Sequence, residues 1–540
     1  SSKLEGMTVS KIVFVDLATN FYDKHAVYSL SALLTSKGHQ VEYIPNSPFK
    51  KIIKRLEAIK PELLLYSSFT PDIPKYAELD RLIKERLSVT SLIGGHGPTY
   101  DPDQVATTTI DALCMGEGEA ALVEYVDNGF SGAKNIVNRL DITPDRCNTS
   151  DYYAFMNLDD LPLPKRDIVY ERDSVLRNQP SKQFMAGRGC PYRCAYCHNH
   201  AFNEKFADSG DVIRYKSVDY LIEEIKWVKD RYPLKTVVFQ DDVFILKKSW
   251  LMEFCEKFPR EIGVGFTCNV KAEITVDEDI VKALKEGNCV GANWSIESGN
   301  DFFRNELLKR NMSRSQILRC SEMLNKYQIP NRIGNVIGIP GEKFSNLRET
   351  IELNIKAKPT LALANIFVPY PGLELTDYAL KNGFVDRKDI KYLPDTFFQR
   401  SILKFSPDEN LRIQKILFLF PFLVRYPVAY FNESSFKFLL TLPRWLLRLA
   451  YEPLYIFKMA KLYKVWTSFG MIASMCRRYF SRSGFSGKND SNMEQGHTSP
   501  KEKNCPYPRV GQHQLTESSL FSICWLQKVT WEVAILAGTF

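Results

Sequence analysis

Short apolar runs alternate with amphipathic stretches through the first quarter of the chain. Lys11-Ile-Val-Phe-Val-Asp16 has the character of a buried strand, residues 26–37 follow with helical spacing and stop at Gly38, and residues 40–44 read as a second strand. Glu62-Leu-Leu-Leu-Tyr-Ser67 and Val89-Thr-Ser-Leu-Ile-Gly94 are further strands, with the charged amphipathic segment 76–86 between them. Strands that take turns with helices of this length need crossover connections. Residues 8–135 are therefore expected to form a doubly wound, Rossmann-like α/β domain with its ligand beyond the carboxyl ends of the strands.

Residues 136–180 lose this rhythm. Asp159-Asp-Leu-Pro-Leu-Pro-Lys165 carries two prolines that favour extended chain, and the segment reads as a linker. Alternation resumes with six strand candidates at 183–187, 235–240, 263–268, 289–296, 331–338 and 361–367. Intervals of about 25 to 50 residues leave room for a helix each time, so residues 181–375 predict a parallel sheet wound toward a partial (β/α)6 barrel of the TIM type. Aromatic and aliphatic runs such as Ile416-Leu-Phe-Leu-Phe-Pro-Phe-Leu-Val424 make 376–482 a helical C-terminal region. Residues 483–540, rich at first in Ser, Asn, Gly, Lys and Pro, read as a disordered tail, and residues 1–7 as a cloning scar.

Across 540 residues, 44% hydrophobic and 25% charged positions exclude general disorder, collagen-like repeats and a coiled coil. A net charge of +8 is small for this length and predicts no nucleic-acid partner. The basic excess gathers between Pro443 and Arg482, with eight Lys or Arg against one acid, Glu452. Such a segment could lie on an anionic membrane or line a tunnel for a lipid-like substrate; a helical cap with a solvated basic face is the alternative. Twelve cysteines are too few for a disulfide-dense secreted scaffold, and no signal-peptide order opens the chain, so a reducing cytoplasm is the expectation. No uncharged apolar run is long enough to predict a membrane-spanning helix.

The decisive motif is Arg188-Gly-Cys190-Pro-Tyr-Arg-Cys194-Ala-Tyr-Cys197, three thiols on one loop just after the first strand of the second unit. A four-iron, four-sulfur cluster held by three cysteines leaves one iron open to a cosubstrate. Zinc is the alternative; it wants a fourth ligand, for which His198 or His200 is at hand. Thiols that only pack need no fixed spacing.

The triplet resembles the signature of the radical SAM superfamily, and the likeness extends over roughly residues 181 to 375. That resemblance implies a [4Fe-4S] cluster on Cys190, Cys194 and Cys197, with S-adenosylmethionine chelated at the open iron. Reductive cleavage of its sulfonium bond would give a 5′-deoxyadenosyl radical, with an electron supplied by a flavodoxin or ferredoxin. Phe239-Gln240-Asp241-Asp242-Val-Phe244 resembles the segment after the second strand that contacts the cosubstrate's amino group, although the common form there is Gly-Gly-Glu. Trp294-Ser295-Ile-Glu297-Ser-Gly299 resembles the fourth-strand segment for ribose and carboxylate. Asn335-Val-Ile337-Gly-Ile-Pro-Gly341 resembles the fifth-strand segment that packs on adenine, and Tyr196 stands where an aromatic lies beside that base.

A doubly wound domain ahead of such a barrel resembles the cobalamin-binding domain of cobalamin-dependent radical SAM enzymes. The matching turns are Ser67-Ser68-Phe-Thr70, Gly94-Gly95-His96 and Met115-Gly116-Glu117-Gly118-Glu119. Tight turns of any doubly wound domain are the plainer alternative; the dinucleotide fingerprint G-x-G-x-x-G is absent after the first strand. Where the cobalamin pattern has Asp-x-His-x-x-Gly, with the His on cobalt, this chain has Asp23-Lys-His25 and no glycine. The resemblance implies methylation of an unactivated carbon of a small-molecule, natural-product or lipid-like substrate. Ring formation or rearrangement is the alternative within the family, and a non-catalytic iron-sulfur redox or binding protein the alternative outside it. A methylthio-transferring tRNA enzyme would carry a cysteine trio in its first domain; residues 1–130 contain only Cys114.

Overall fold

Apolar runs of four or five residues become the strands of two parallel sheets. The computed structural model describes residues 9–18, 22–148, 151–390, 393–394, 397–398 and 400–462, the last helix with only part of its side chains. The expected tail at 483–540, the residues read as a scar and the basic stretch from 463 to 482 lie outside the described residues.

The first sheet comprises β1 (Lys11–Val15), β2 (Gln40–Ile44), β3 (Leu63–Ser67), β4 (Thr90–Gly94), β5 (Ala112–Cys114) and β6 (Ile136–Asn138), in the order β2-β1-β3-β4-β5-β6. Every pair is parallel except β5 with β6. Strand parity explains the double winding. Ile12 and Phe14 pack with Val27, Tyr28 and Leu34 of helix His25–Ser36, while Val13 and Val15 pack with Ile52, Leu56 and Leu79 of helices Phe49–Ile59 and Ile73–Lys84. Strand order reverses between β1 and β3, the switch point beside which such sheets bind ligands. β5 and β6, three residues each, are too short to show as a period in the sequence.

The stretch read as a linker is a packed strap. Its first residues form β6, and Tyr152, Leu158, Leu161, Val169, Tyr170, Val175 and Leu176 are buried. Polar turn signals around the two prolines hid these scattered anchors, which follow no single period.

The second sheet runs β14-β13-β12-β11-β10-β7, parallel throughout: β7 (Ser181–Phe184), β10 (Thr236–Phe239), β11 (Gly265–Asn269), β12 (Cys289–Glu297), β13 (Asn331–Ile337) and β14 (Leu361–Ala362). β15 (Asn365–Ile366) also pairs β13, and β8 (Gly187–Arg188) with β9 (Arg214–Tyr215) forms a small antiparallel ribbon. This is the six-stranded partial barrel that the spacing predicts. Phe239, Phe266, Trp294 and Ile333 point into the shell of helices. Alternate residues therefore face the lumen: Gln240, Thr267, Asn269, Asn293, Ser295, Glu297, Arg332, Gly334 and Val336. Helix Pro407–Arg425 lays Ile413, Ile416, Leu417 and Phe420 against Ile337, Leu361 and Ile366, so the aromatic C-terminal runs cover one side of the barrel.

Candidate functional site

Cys190, Cys194 and Cys197 occupy the loop between β8 and helix His198–Lys205. Gly189 has φ +89°, and a Cβ there would collide with the Val212 carbonyl, so only glycine lets the loop leave β8 at this angle. Cys190 and Cys194 are buried and Cys197 half-buried. Burial pushes the free Cys190 thiol up to about 11 and Cys197 to about 12. The three thiols influence one another electrostatically, and two receive weak donors: Arg310 Nη1 to Cys194 Sγ and Asn199 Nδ2 to Cys197 Sγ, each at 3.7 Å. Among the described residues no three His, Cys, Asp or Glu groups close on a single ion. Of the two histidines that could complete a zinc site, His200 faces Glu204 and Glu374, while His198 packs against Tyr100 and His96 and its buried Nε2 has no hydrogen-bond partner. Three thiolates on one loop without a fourth protein ligand suit a cubane, in which each sulfur meets a different iron.

Around this loop the lumen-facing ends of the strands collect polar groups. Glu297 ends β12 with φ +67°, a strained conformation for a buried glutamate, and accepts a 2.8 Å hydrogen bond from Tyr196 Oη. Burial raises its carboxyl, with Arg310 opposing. Arg310 donates to the Ser295 carbonyl at 2.8 Å, and its buried Nε has no partner. Lys271 lies 3.5 Å above the Tyr192 ring and pairs with Glu273. Tyr196, Ser295 and Glu297 thus meet at one place. Arg310, which the sequence reading did not single out, meets them there, and Lys271, likewise unmarked, reaches the Arg310 carbonyl at 3.5 Å. Arg310 follows a six-residue π-helix, Phe302–Leu307, and no local spacing ties it to the strand end.

The other barrel residues divide. Asp242 is exposed at the mouth and bonded to Asn199; Gln240 is half-buried on the lumen side. Asp241 turns inward to accept N–H groups from Ala186 at 3.0 Å and Gly187 at 2.6 Å, so it fixes the start of the cysteine loop, its carboxyl pushed by burial up to about 7. Asn335 and Ile337 have the wrong parity for the lumen. Asn335 makes a reciprocal pair with Asn354 and donates to the Leu363 carbonyl, and Ile337 packs under helix Pro407–Arg425. Gly334 and Val336 face inward instead. The following Gly338 turn is closed by Glu342, which accepts the Gly338 N–H at 2.7 Å.

On the first domain, Ser67, Ser68, Gly94 and Gly95 sit side by side at the carboxyl ends of β3 and β4. Gly95 has φ +102°, and a Cβ there would stand 2.7 Å from the Ser68 carbonyl. Ser68 Oγ is buried without a partner, an orphaned group beside a glycine-lined cradle that fits a bulky polar cofactor; Thr70 is buried in the next turn. The Gly116-Glu117-Gly118 turn is used differently. Gly116 lies under the Phe206 ring, and Glu117 pairs with Arg214 and, at 3.1 Å, with Arg188. Glu119 also binds Arg188, at 2.6 Å. Tyr100 Oη donates to the His198 carbonyl at 3.2 Å. The first domain is thereby fastened to the loop that carries the thiols. Asp23 is spent on Tyr28, Tyr170 and the Gln183 N–H, while burial lowers His25 to about 4 and leaves its Nε2 without a partner.

Comparison with known proteins agrees with this division. Residues 185–353 match the Radical SAM superfamily and residues 12–126 match the B12 binding domain. The barrel and its three-thiol loop thus define a radical SAM enzyme. With a B12 binding domain ahead of that barrel, the chain belongs to the cobalamin-dependent radical SAM enzymes, whose cofactors are a [4Fe-4S] cluster, S-adenosylmethionine and cobalamin. An uncharacterized methyltransferase of Pyrococcus horikoshii is 25% identical over 394 residues, 71% of this chain and 81% of the relative. The anaerobic magnesium-protoporphyrin IX monomethyl ester cyclase of Rubrivivax gelatinosus is 21% identical over 338 residues, 60% of each chain. The cobalamin-dependent radical enzyme OxsB, solved with aqua-cobalamin and S-adenosylmethionine, shares the fold with a TM-score of 0.63 at 15% identity, over 97% of this chain and 84% of that one.

Proposed function

We propose that this chain methylates an unactivated carbon of a small-molecule substrate held between the barrel mouth and the first domain. The observation that carries the reading is the direct fastening of the cobalamin-side turn to the cysteine loop through Glu117, Glu119, Arg188 and Arg214. It keeps the two cofactor-binding edges in fixed register, as transfer of a group from one to a radical made at the other requires. When bound, the cluster and S-adenosylmethionine supply an oxidant for a C–H bond, and the methylated corrin supplies the methyl group.

The chain's own residues bind, orient and exclude water. Arg310, with its free Nε, and Lys271 offer positive charge to the cosubstrate carboxylate, and Glu297 with Ser295 offers acceptors to its ribose. Tyr196 holds Glu297 in its strained conformation. Asp241 fixes the backbone from which the cysteine loop departs. Ser68 and the Gly94-Gly95 turn cradle the corrin side.

Methyl-labelled S-adenosylmethionine tests this. Reconstituted protein with reductant and cobalamin should move label to the corrin fraction and thence to product, with about two equivalents consumed per methyl transferred, one for each role of the cosubstrate. Formation of 5′-deoxyadenosine with no label in corrin or product would overturn methylation in favour of ring formation or rearrangement.

The C-terminal helices support a peripheral membrane contact. Tyr426, Val428, Phe431, Phe438 and Trp445 are all more than half exposed, and Arg425, Lys437 and Arg444 lie among them at the surface. Among the described residues no helix is long and apolar enough to cross a membrane. Cosedimentation with phosphatidylglycerol vesicles, weakened by salt and reduced about tenfold by the pair Phe438→Glu and Trp445→Glu, is expected. Equal failure of wild type and variant to bind removes the idea. Point changes suit this test better than truncation, because helix Pro407–Arg425 is part of the barrel's own packing.

A further inference from the structure

One inward-facing row of the barrel, apart from Gln240 in the segment that resembles a cosubstrate contact and an Asn269 amide that donates to the Asp241 carbonyl at 2.8 Å, has no assigned work. Pairing places Asn269 beside Asn293 and Asn293 beside Arg332, and Gln240 follows next along the same row from β10. Asn293 Nδ2 donates to Asn269 Oδ1 at 3.3 Å, so the two amides meet in the lumen. Arg332 closes the row. Its neighbours Asn331 and Ile333 are fully buried in the helix shell, whereas Arg332 is half-buried, so its exposure comes from the lumen side. Its Nη1 is buried without a hydrogen-bond partner. Two fully buried arginines elsewhere are paired with acids: Arg166 with Asp23 and Glu224, and Arg304 with Asp301. A guanidinium stays protonated in any protein site, and leaving one of its donors unmet is costly. Above it on the inner face stands Gly334, where a Cβ would come within 2.8 Å of Ser295 Oγ, so glycine leaves room for that hydroxyl.

We propose that this row is a binding site for an oxyanion terminus of the substrate, carboxylate or phosphate, with Arg332 as its counter-ion and Asn269, Asn293 and Gln240 as neutral hydrogen-bonding partners. The proposal rests on the reading that the barrel lumen receives the substrate, and it narrows the substrate class to molecules that carry an anionic end. Arg310, at the Cys194 edge, is separate from it: Arg310 bonds to the Ser295 carbonyl, and Arg332 lies on the row below.

The test uses reconstituted holoenzyme with S-adenosylmethionine bound and titrates octanoate, octyl phosphate and, as the uncharged control, 1-octanol. Methyl transfer is not read, so failure here and failure of the methylation reading are distinguishable. Octanoate or octyl phosphate should bind while octanol does not, and the tighter of the two anions identifies the headgroup. Arg332→Met should weaken anion binding about 10- to 100-fold and leave the affinity for S-adenosylmethionine unchanged. Should that variant fail to fold, Arg332→Lys should retain binding and Arg332→Gln should lose it. No anion binding by the wild type, equal binding by all variants, or loss of S-adenosylmethionine affinity in step with the anion would each overturn the proposal.

Discussion

Alanine at Cys194 is expected to strip the chain of its iron while leaving the fold in place. Wild type reconstituted without oxygen should carry about four irons per chain, and Cys194→Ala a small fraction of that, because two thiolates hold a cubane poorly. Production of 5′-deoxyadenosine should fall by about three orders of magnitude, since cleavage of the cosubstrate depends wholly on that centre. Cobalamin binding should persist, because the cradle proposed for it at Ser68, Gly94 and Gly95 belongs to a separate sheet. Iron analysis, the visible absorption of the cluster and a cobalamin titration together check it. A variant that keeps its iron and still cleaves S-adenosylmethionine would refute the assignment of the loop. Zinc in place of iron in the wild type would do the same.

The second large effect concerns stability. Arg166, from the strap between the two sheets, is fully buried and makes contacts at 3.4 Å to Asp23 and 2.9 Å to Glu224, donates to the Gln183 carbonyl, and lies over the Phe184 ring at 4.1 Å. Arg166→Met leaves two buried carboxylates without their shared cation and should cost about 3–5 kcal/mol, read as a fall in the denaturation midpoint. Burial alone would raise both acids. For Asp23 the charges of Arg166 and Lys182, and for Glu224 those of Lys216 and Arg166, outweigh it, so both titrate below their ordinary values. Their contribution is therefore complete above the ordinary carboxylate range, about pH 4, and is lost as pH falls through the lowered folded values. The variant should show a flatter acid limb than wild type. An unchanged midpoint and an unchanged acid limb would show that this cluster does not join the domains.

Much of this architecture is legible in the chain because parallel strands buried on both faces leave unbroken apolar runs, as at Ile12 to Val15 and Leu63 to Tyr66. The cysteine triplet is legible because a cluster loop needs fixed spacing. Other features depend on neighbours that sequence does not reveal. The resemblance to a fifth-strand segment points to Asn335 and Ile337, but β13 alternates strictly, and the residues turned to the lumen are Gly334 and Val336. Asp241 and Asp242 both fall in the segment that resembles a cosubstrate contact, yet adjacent residues face different ways; one is bound to the loop backbone and the other opens to the mouth. The Met115 to Glu119 turn reads as a cofactor cradle, and Gly116, at φ +70°, is needed there for close approach. What approaches Gly116 is Phe206 of the second domain. Arg310 carries no signal at all, since its place beside Cys194 arises only when the chain returns through the π-helical turn.

The attachment of Glu117 and Glu119 to Arg188 limits how freely such a protein can exchange its parts. Arg188 stands two residues before Cys190, so a corrin-carrying module transplanted from another member without matching acids would leave an unneutralised guanidinium at the root of the sulfur-bearing loop. Chimaeras that swap the front module alone should thus assemble badly until both acids travel with it, and the two halves are best regarded as co-inherited.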